Sequence, residues 1–192
     1  RTNAASDKTS AATLTLFVYG IYYRTLPSDV RKAIEQHWGT PEDDPFVMEK
    51  QFHLPLLPLG NVVVGIQPAR GYNIDPKSTY HDPALVPPHG YLATYFWLRH
   101  VFGAQAIIHN GKHGNLEWLP GKATALSTNC WPEIALGPLP QLYPFIVNDP
   151  GEGTQAKRRT SAVIIDHLTP PLTRAESYGP MKDLEALVDE YY

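Results

Sequence analysis

Three side chains able to bind metal or move protons sit at four-residue intervals in "IIHNGKHGNLEWLPGK": His109, His113 and Glu117. Imidazole and carboxylate suit a borderline divalent cation such as Zn²⁺, Co²⁺ or Ni²⁺, and either can act as a general base. Four-residue spacing would align them on a helix, but Gly111 and Gly114 lie between them and disfavour a continuous helix. A zinc-protease helix needs a glutamate beside its first histidine, where this chain has Asn110. The stretch therefore reads as a loop. Folded back, it would gather the three donors; left open, it is a solvated turn. Spacing alone does not decide between these.

The elements that must position such a loop follow from hydrophobic patterning. "NVVVGI" from Asn61 and "AQAIIH" from Ala104 are short β-branched runs of the kind buried in parallel sheets. Between them, His89 to Phe102 reads as a helix with Leu92, Tyr95, Phe96 and Phe102 on one side and Gly103 at its end. A third run, "LYPFIV", precedes the turn "NDPGEG", the helical stretch "TQAKRR" and a fourth run, "SAVIIDHL". Pro144 argues for an edge position or a bend in the third run. This alternation predicts an α/β fold: an open, mostly parallel sheet flanked by helices. In such sheets ligands sit beyond the carboxyl ends of the strands, which places His109 on the ligand-facing side.

Three segments are expected: a polar leader at residues 1–12, a helical or irregular segment at 13–59, and an α/β core at 60–192. Within the second, Val30, Ile34 and Trp38 share a helix face between Ser28 and Gly39. Met181 to Tyr192 carries Leu184, Leu187, Val188 and Tyr191 at helical spacing with no stop signal after it, and the chain opens on Arg1. It reads as a fragment of something longer.

Composition narrows the function classes. A net charge of −3 with scattered lysines and arginines lacks the footprint of a nucleic-acid binder. The single cysteine, Cys130, rules out an internal disulfide and a cysteine-rich zinc site. "LTLFVYGIYY" is about half the length that crosses a bilayer, and no signal-peptide layout surrounds it. A cytoplasmic setting with no membrane partner is expected.

Further candidates lie outside the histidine loop. The 22 residues from Gln67 to Pro88 form a long loop: Arg70, Tyr72, Lys77 and Tyr80 suit a binding loop, and its prolines suit a stiffened surface flap equally well. His89 would sit at a helix N-terminus on the same side of the sheet. "GEGTQAKRR" lacks the Gly-Lys-Ser/Thr ending of a nucleotide loop, so ATP is not expected there, while Lys157, Arg158 and Arg159 could receive carboxylates. Trp118 and Trp131 could stack on a planar ligand or simply pack in the core.

On "GNVVVGIQPARGYNIDP", "PPHGYLATYFWLRHVFGAQAIIHNGKHGNLEWLPGK" and "VNDPGEGTQAKRRTSAVIIDHLTPP", the chain resembles the CobN and magnesium chelatase H-subunit family from about Tyr23 onward. Lys112 and the Trp118–Leu119 pair resemble the cobalt branch; the magnesium branch typically has Thr and Phe-Met there. The resemblance implies ATP-dependent insertion of Co²⁺ into hydrogenobyrinic acid a,c-diamide in cobalamin biosynthesis, with ATP hydrolysed by separate AAA+ partner subunits. It implies that His89, His109, His113 and Glu117 hold metal, that His109, His113 and Glu117 carry the chemistry, and that His89 and Glu117 stand at active-site motif positions. Arg70, Tyr72, Lys112, Trp118, Lys157, Arg158 and Arg159 are the candidates for contacting the corrinoid. The isolated fragment is not expected to turn over. The alternatives are a magnesium chelatase H-type subunit, a tetrapyrrole- or partner-binding module without catalytic groups, and a metal-dependent hydrolase.

Overall fold

The computed structural model describes residues 12–71, 84–111, 113–144, 150–165 and 178–191. Tyr72 and Lys112, with most of the Gln67–Pro88 loop and the leader up to residue 11, lie outside the described residues. Ala12, expected to end the polar leader, instead opens the first strand and is 1% exposed.

The first half is built around an antiparallel sheet and two helices. Strands β1 (Ala12–Thr15), β2 (Val47–Met48) and β3 (Gln51–Leu54) pair in the order β1-β3-β2. Alternation turns Ala12, Leu14, Phe52 and Leu54 inward. The apolar run after β1 forms helix α1 (Leu16–Tyr23), whose start is capped by Thr15 accepting a bond from the Val18 amide at 3.2 Å. Its buried Tyr19 and Tyr23, four residues apart, face the core. Helix α2 (Ser28–Trp38) buries Val30 and Ile34 and ends at Gly39. Its N-cap position is Pro27, so Ser28 is the first helical residue rather than the cap. Residues 13–59, expected to be helical and irregular, thus also supply strands, and they share one hydrophobic core with segments as distant as Leu136.

The "NVVVGI" run departs from expectation. Strand β4 (Leu56–Leu59) and strand β5 (Val62–Gly65) form an antiparallel hairpin, turned by Gly60 and Asn61 with Gly60 at φ 64°. Val62 and Val64 are exposed, so this run is not a strand of the parallel sheet. Pro55 and Pro58 masked its partner strand in the sequence; a two-stranded ribbon consists of edges only, where proline is tolerated.

Helix α3 (His89–Phe96) is buried along its whole length and continues as a π-helical turn, Trp97–Phe102, closed by left-handed Gly103 at φ 71°. Its N-terminus is capped from a distant segment. Asp44, 3% exposed, accepts bonds from the amides of Gly90 at 2.6 Å and Phe46 at 2.9 Å. A carboxylate there satisfies an otherwise unpaired helix donor and opposes the positive end of the helix dipole.

The parallel sheet has the order β6-β7-β8: β6 (Ile107–Ile108), β7 (Gln141–Pro144) and β8 (Val163–Ile165). Helix α4 (Trp131–Leu136) lies on the path from β6 to β7, and helix α5 (Pro150–Arg159) joins β7 to β8. The third run is therefore the central strand, contrary to the edge position that Pro144 suggested. Pro144 is its last residue, and β6 pairs with β7 only as far as Leu142, so the missing N–H removes no bond on that side. Tyr143 and Ile164 pack with Ala156 of α5, while Ile108, Val163 and Ile165 remain exposed. Helix α6 (Pro180–Tyr191) carries Leu184, Leu187, Val188 and Tyr191 exposed. Among the described residues no helix is long and apolar enough to cross a membrane.

Replacing Asp44 by Ala strips the cap from α3, and bonds to a charged acceptor are worth ~1.5–3 kcal/mol. The expected loss in a urea titration is about 2 kcal/mol, less for Asp44→Asn; an unchanged midpoint for Asp44→Ala would contradict the capping role.

Candidate functional site

His109 follows β6 directly, and its amide extends the ladder by donating to Leu142 of β7 at 2.9 Å. The chain then turns back, and a short 3₁₀ turn, Leu116–Trp118, brings Glu117 into the interior with no solvent exposure. The loop is stitched down at Asn115. Its amide donates to Gln67 Oε1 and its Nδ2 to the Pro68 carbonyl, both at 3.0 Å, while its Oδ1 accepts from the Tyr91 hydroxyl at 2.8 Å. Gln67 Nε2 in turn donates to the Tyr95 hydroxyl at 3.0 Å. The start of the long loop and two tyrosines of α3 thus fix the histidine loop.

His109 and Glu117 meet across Gly114. A Cβ on that glycine would lie 3.1 Å from Glu117 Oε2, 3.2 Å from His109 Nδ1 and 3.4 Å from Gln67 Oε1. At such distances a methyl group fits only if these side chains shift by a few tenths of an ångström. The Glu117 Oε1 accepts from the Tyr143 hydroxyl at 2.6 Å, and that hydroxyl accepts from the Gly114 amide. His109 Nδ1 lies 2.6 Å from Gln141 Nε2, and its Nε2 lies 3.5 Å from the Tyr95 hydroxyl. Burial lowers the His109 pKa from 6.5 to about 4. The ring is neutral at pH 7, the form that binds metal without first releasing a proton. Burial also raises the Tyr95 pKa to about 12, so this phenol is a hydrogen-bonding group and not an anion.

A cleft of about 790 Å³ opens beside His109, lined by the β4–β5 hairpin, Gln67, Tyr95, Leu98 and residues 102–109. Its volume is within the range of small-molecule sites, roughly 300–1,000 Å³, and its walls mix apolar side chains with polar groups such as Gln67, Tyr95, Gln105 and His109. Glu117 does not line it. A ligand in this cleft meets His109 first, with the carboxylate behind.

The other expected site residues divide. His113 is half-buried and donates from Nδ1 to the Gly114 carbonyl at 3.0 Å; a carbonyl only accepts, so the neutral ring has a bare Nε2. His89 belongs elsewhere, in a constellation with Tyr19, Tyr23 and Gly39. It is fully buried, its Nε2 donates to the Gly39 carbonyl at 3.1 Å, and its Nδ1 accepts from the Tyr19 hydroxyl at 2.8 Å. With both nitrogens engaged and its pKa lowered by burial, His89 is neutral, and in this arrangement its ring serves Tyr19 and the Gly39 carbonyl. Among the described residues no three His, Cys, Asp or Glu converge as a metal-holding group.

Arg70 is buried, 7% exposed, and both it and Glu117 lie close enough to act on the charge of Arg159. Arg159 clamps the loop, donating to the Glu117 carbonyl at 2.6 Å and the Lys122 carbonyl at 3.0 Å. Lys157 and Arg158 are exposed at the end of α5, and Arg158 and Arg159 line a second cleft that shares no residue with the first. Trp118 is 36% exposed and Trp131 is packed in the core. Gln67, Tyr91, Tyr95, Asn115, Gln141 and Tyr143 were not expected as site residues. For the last pair a signal existed: alternation puts Gln141 and Tyr143 on one face of a buried strand, where an amide and a phenol need partners.

The chain matches the family model described as CobN/Magnesium Chelatase over residues 1–192. It is 68% identical over its whole length to an aerobic cobaltochelatase subunit CobN from Sinorhizobium sp, and 62% identical over 95% of its length to the CobN subunit from Pseudomonas aeruginosa. The magnesium-chelatase H-subunit from Chlorobaculum parvum is 40% identical over 84% of the chain. Among solved structures, the catalytic subunit of cobaltochelatase from Mycobacterium tuberculosis superposes with a TM-score of 0.77 at 47% identity, over 94% of this chain and 16% of that one. The chain spans about 15% of the length of both CobN relatives.

The His109 environment has a consequence for stability. Between pH 6.5 and about 4 the unfolded chain takes a proton that the native ring does not, so native stability falls as pH drops through that window. The drop from His109 is at most about 3 kcal/mol, and His89, shifted in the same direction, adds to the trend. Denaturation midpoints measured from pH 7 to 4 should fall less steeply in His109→Gln; an identical slope would mean that His109 is not protected from protonation.

Proposed function

The chain belongs to the CobN/magnesium chelatase family, and from that premise we propose that it forms part of the metal-insertion centre of an aerobic cobaltochelatase. The substrate metal is Co²⁺ and the macrocycle is hydrogenobyrinic acid a,c-diamide, converted on the way to cobalamin. ATP is hydrolysed by AAA+ partner subunits. The identity to CobN subunits, 68% against 40% for a magnesium-chelatase H-subunit, supports cobalt over magnesium.

One observation carries the reading: a neutral imidazole at the wall of a cleft of ligand size, with a buried carboxylate directly across Gly114. Insertion must strip water from the cation and remove two protons from ring nitrogens, which calls for a soft donor and a proton acceptor at one place. His109 is the donor that meets the metal, and Glu117 compensates the incoming charge and accepts protons. His113, with its bare Nε2, is a second donor from the same loop. Arg70 and Arg159 supply positive charge near the carboxylate, while Trp118, Tyr72, Lys112, Lys157 and Arg158 are candidates for contacts at the periphery of the macrocycle.

A second reading is a module that holds the tetrapyrrole without contributing chemistry. It is favoured by the lack of a three-donor metal group among the described residues.

Glu117→Gln in the full-length subunit separates the two. Cobalt insertion should fall at least 100-fold while macrocycle affinity, followed by the shift of its visible absorption, stays within about twofold. Retained insertion would sink the catalytic assignment and leave the holding module. Gly114→Ala wedges a methyl group between His109 and Glu117, and should lower insertion by about tenfold or more with the chain still folded. Wild-type activity in that variant would mean that the two side chains do not act together.

A further inference from the structure

We infer that β7 is the positioning strand of this site: Gln141 governs which ring nitrogen of His109 faces the cleft, and Tyr143 fixes the Glu117 carboxylate against the loop backbone. The inference deepens the chelatase reading and rests on it.

Gln141 and Tyr143 stand two residues apart on the central strand of the parallel sheet, each 1% exposed. Side chains at i and i+2 of a strand share a face and lie roughly 6–7 Å apart. The strand is held by ladders on both sides, Ile107 to Gln141 and Ile108 to Leu142 on one, Leu142 to Val163 and Tyr143 to Ile164 on the other. Neither side chain can drift relative to β6, whose next residue is His109. The two inward positions form two rungs, one ending on His109 and the other on Glu117, with Gly114 between.

The first rung is chemically ambivalent, and this gives it a role beyond packing. With Gln141 Nε2 donating to His109 Nδ1, the proton of the neutral ring resides on Nε2, toward Tyr95 and the cleft. The buried Oε1 of Gln141 has no hydrogen-bond partner among the described residues. Half a turn of the amide presents that oxygen to Nδ1 instead. The ring proton then sits on Nδ1, and Nε2 becomes a bare lone pair able to bind metal or accept a proton. A glutamine serves both states, a glutamate would hold only the second, and a leucine neither. In both states Nδ1 stays on β7, so Nε2 is always the nitrogen offered to the cleft. Metal-binding histidines are commonly oriented by such a partner on the other nitrogen.

The second rung is fixed. The Tyr143 hydroxyl donates to Glu117 Oε1 and accepts from the Gly114 amide, so its proton and a lone pair are both engaged. Its bond to Gly114 ties that carboxylate to the peptide lying against His109. Loss of the hydroxyl would leave the fold's apolar contacts with Ala156 and Ile164 in place while releasing the carboxylate.

The test uses the full-length subunit with its partner subunits and three variants. Tyr143→Phe should lower kcat for cobalt insertion by about 10–100-fold, with KM for the macrocycle within about twofold and the kcat–pH profile altered. Gln141→Leu should lower kcat comparably, and Gln141→Glu should recover part of it by holding the Nδ1–H state. Solid-state ¹⁵N spectra of histidine-labelled subunit, with His109 assigned by difference from His109→Gln, should show protonation confined to Nδ1 in Gln141→Glu. Unchanged kcat and pH profile in Tyr143→Phe, or losses in which KM rises in parallel and the pH profile stays put, would reduce the strand to a packing role and overturn the inference. If the wild-type subunit inserts no cobalt, the chelatase reading fails by itself. The ¹⁵N spectra still decide the positioning, since an unaltered His109 tautomer in Gln141→Glu and Gln141→Leu would overturn it without any turnover.

Discussion

A carboxylate with no exposure to water survives only where the protein supplies its hydrogen bonds, and the Glu117–Tyr143 contact is where this structure does so. Leaving either group unmatched would be costly, so the loop that carries Glu117 must return to the strand that carries Tyr143. That return carries the Gly114 peptide between Glu117 and His109, where a Cβ would push against both side chains. From one buried contact follow the folded-back loop, the juxtaposition of carboxylate and imidazole, and the exposure of a single ring edge to the cleft.

The scaffold around this contact is layered by distance from the chemistry. Helix α3 provides Tyr91 and Tyr95 from a fully buried face and is itself anchored by Asp44 at its N-terminus. Arg159 reaches from α5 to hold the loop carbonyls of Glu117 and Lys122. Asn115 ties the loop to Gln67 and Pro68, which also border the cleft. Helix α3, strand β7, helix α5 and the Gln67–Pro68 segment each contribute at least one polar bond to the loop, and this gives a glycine-containing segment a defined shape without regular secondary structure.

What could be read from the sequence, and what could not, has physical reasons. The parallel strands after Ala104, the helix from His89 and the loop character of His109 to Glu117 follow from hydrophobic period and glycine placement, and the structure has them. The "NVVVGI" run went astray because a continuous apolar segment looks the same in a buried strand and in a hairpin bordering a cleft; the difference lies in tertiary cover, which one segment does not encode. His89 stands among the expected ligands because its type allows it. Its partners, Tyr19 and the Gly39 carbonyl, lie 70 and 50 residues away in sequence and only folding brings them to the ring. Gln141 and Tyr143 escaped notice for the converse reason: neither residue type signals chemistry until a histidine and a glutamate are placed beside it.

The most direct measurement is the anomalous scattering of cobalt in crystals of the full-length subunit exposed to Co²⁺. The arrangement around Gly114 predicts a cobalt peak in the cleft at bonding distance from His109 Nε2, about 2.1 Å, and its disappearance in His109→Gln. Cobalt bound elsewhere in the subunit, with the His109 ring untouched, would contradict it.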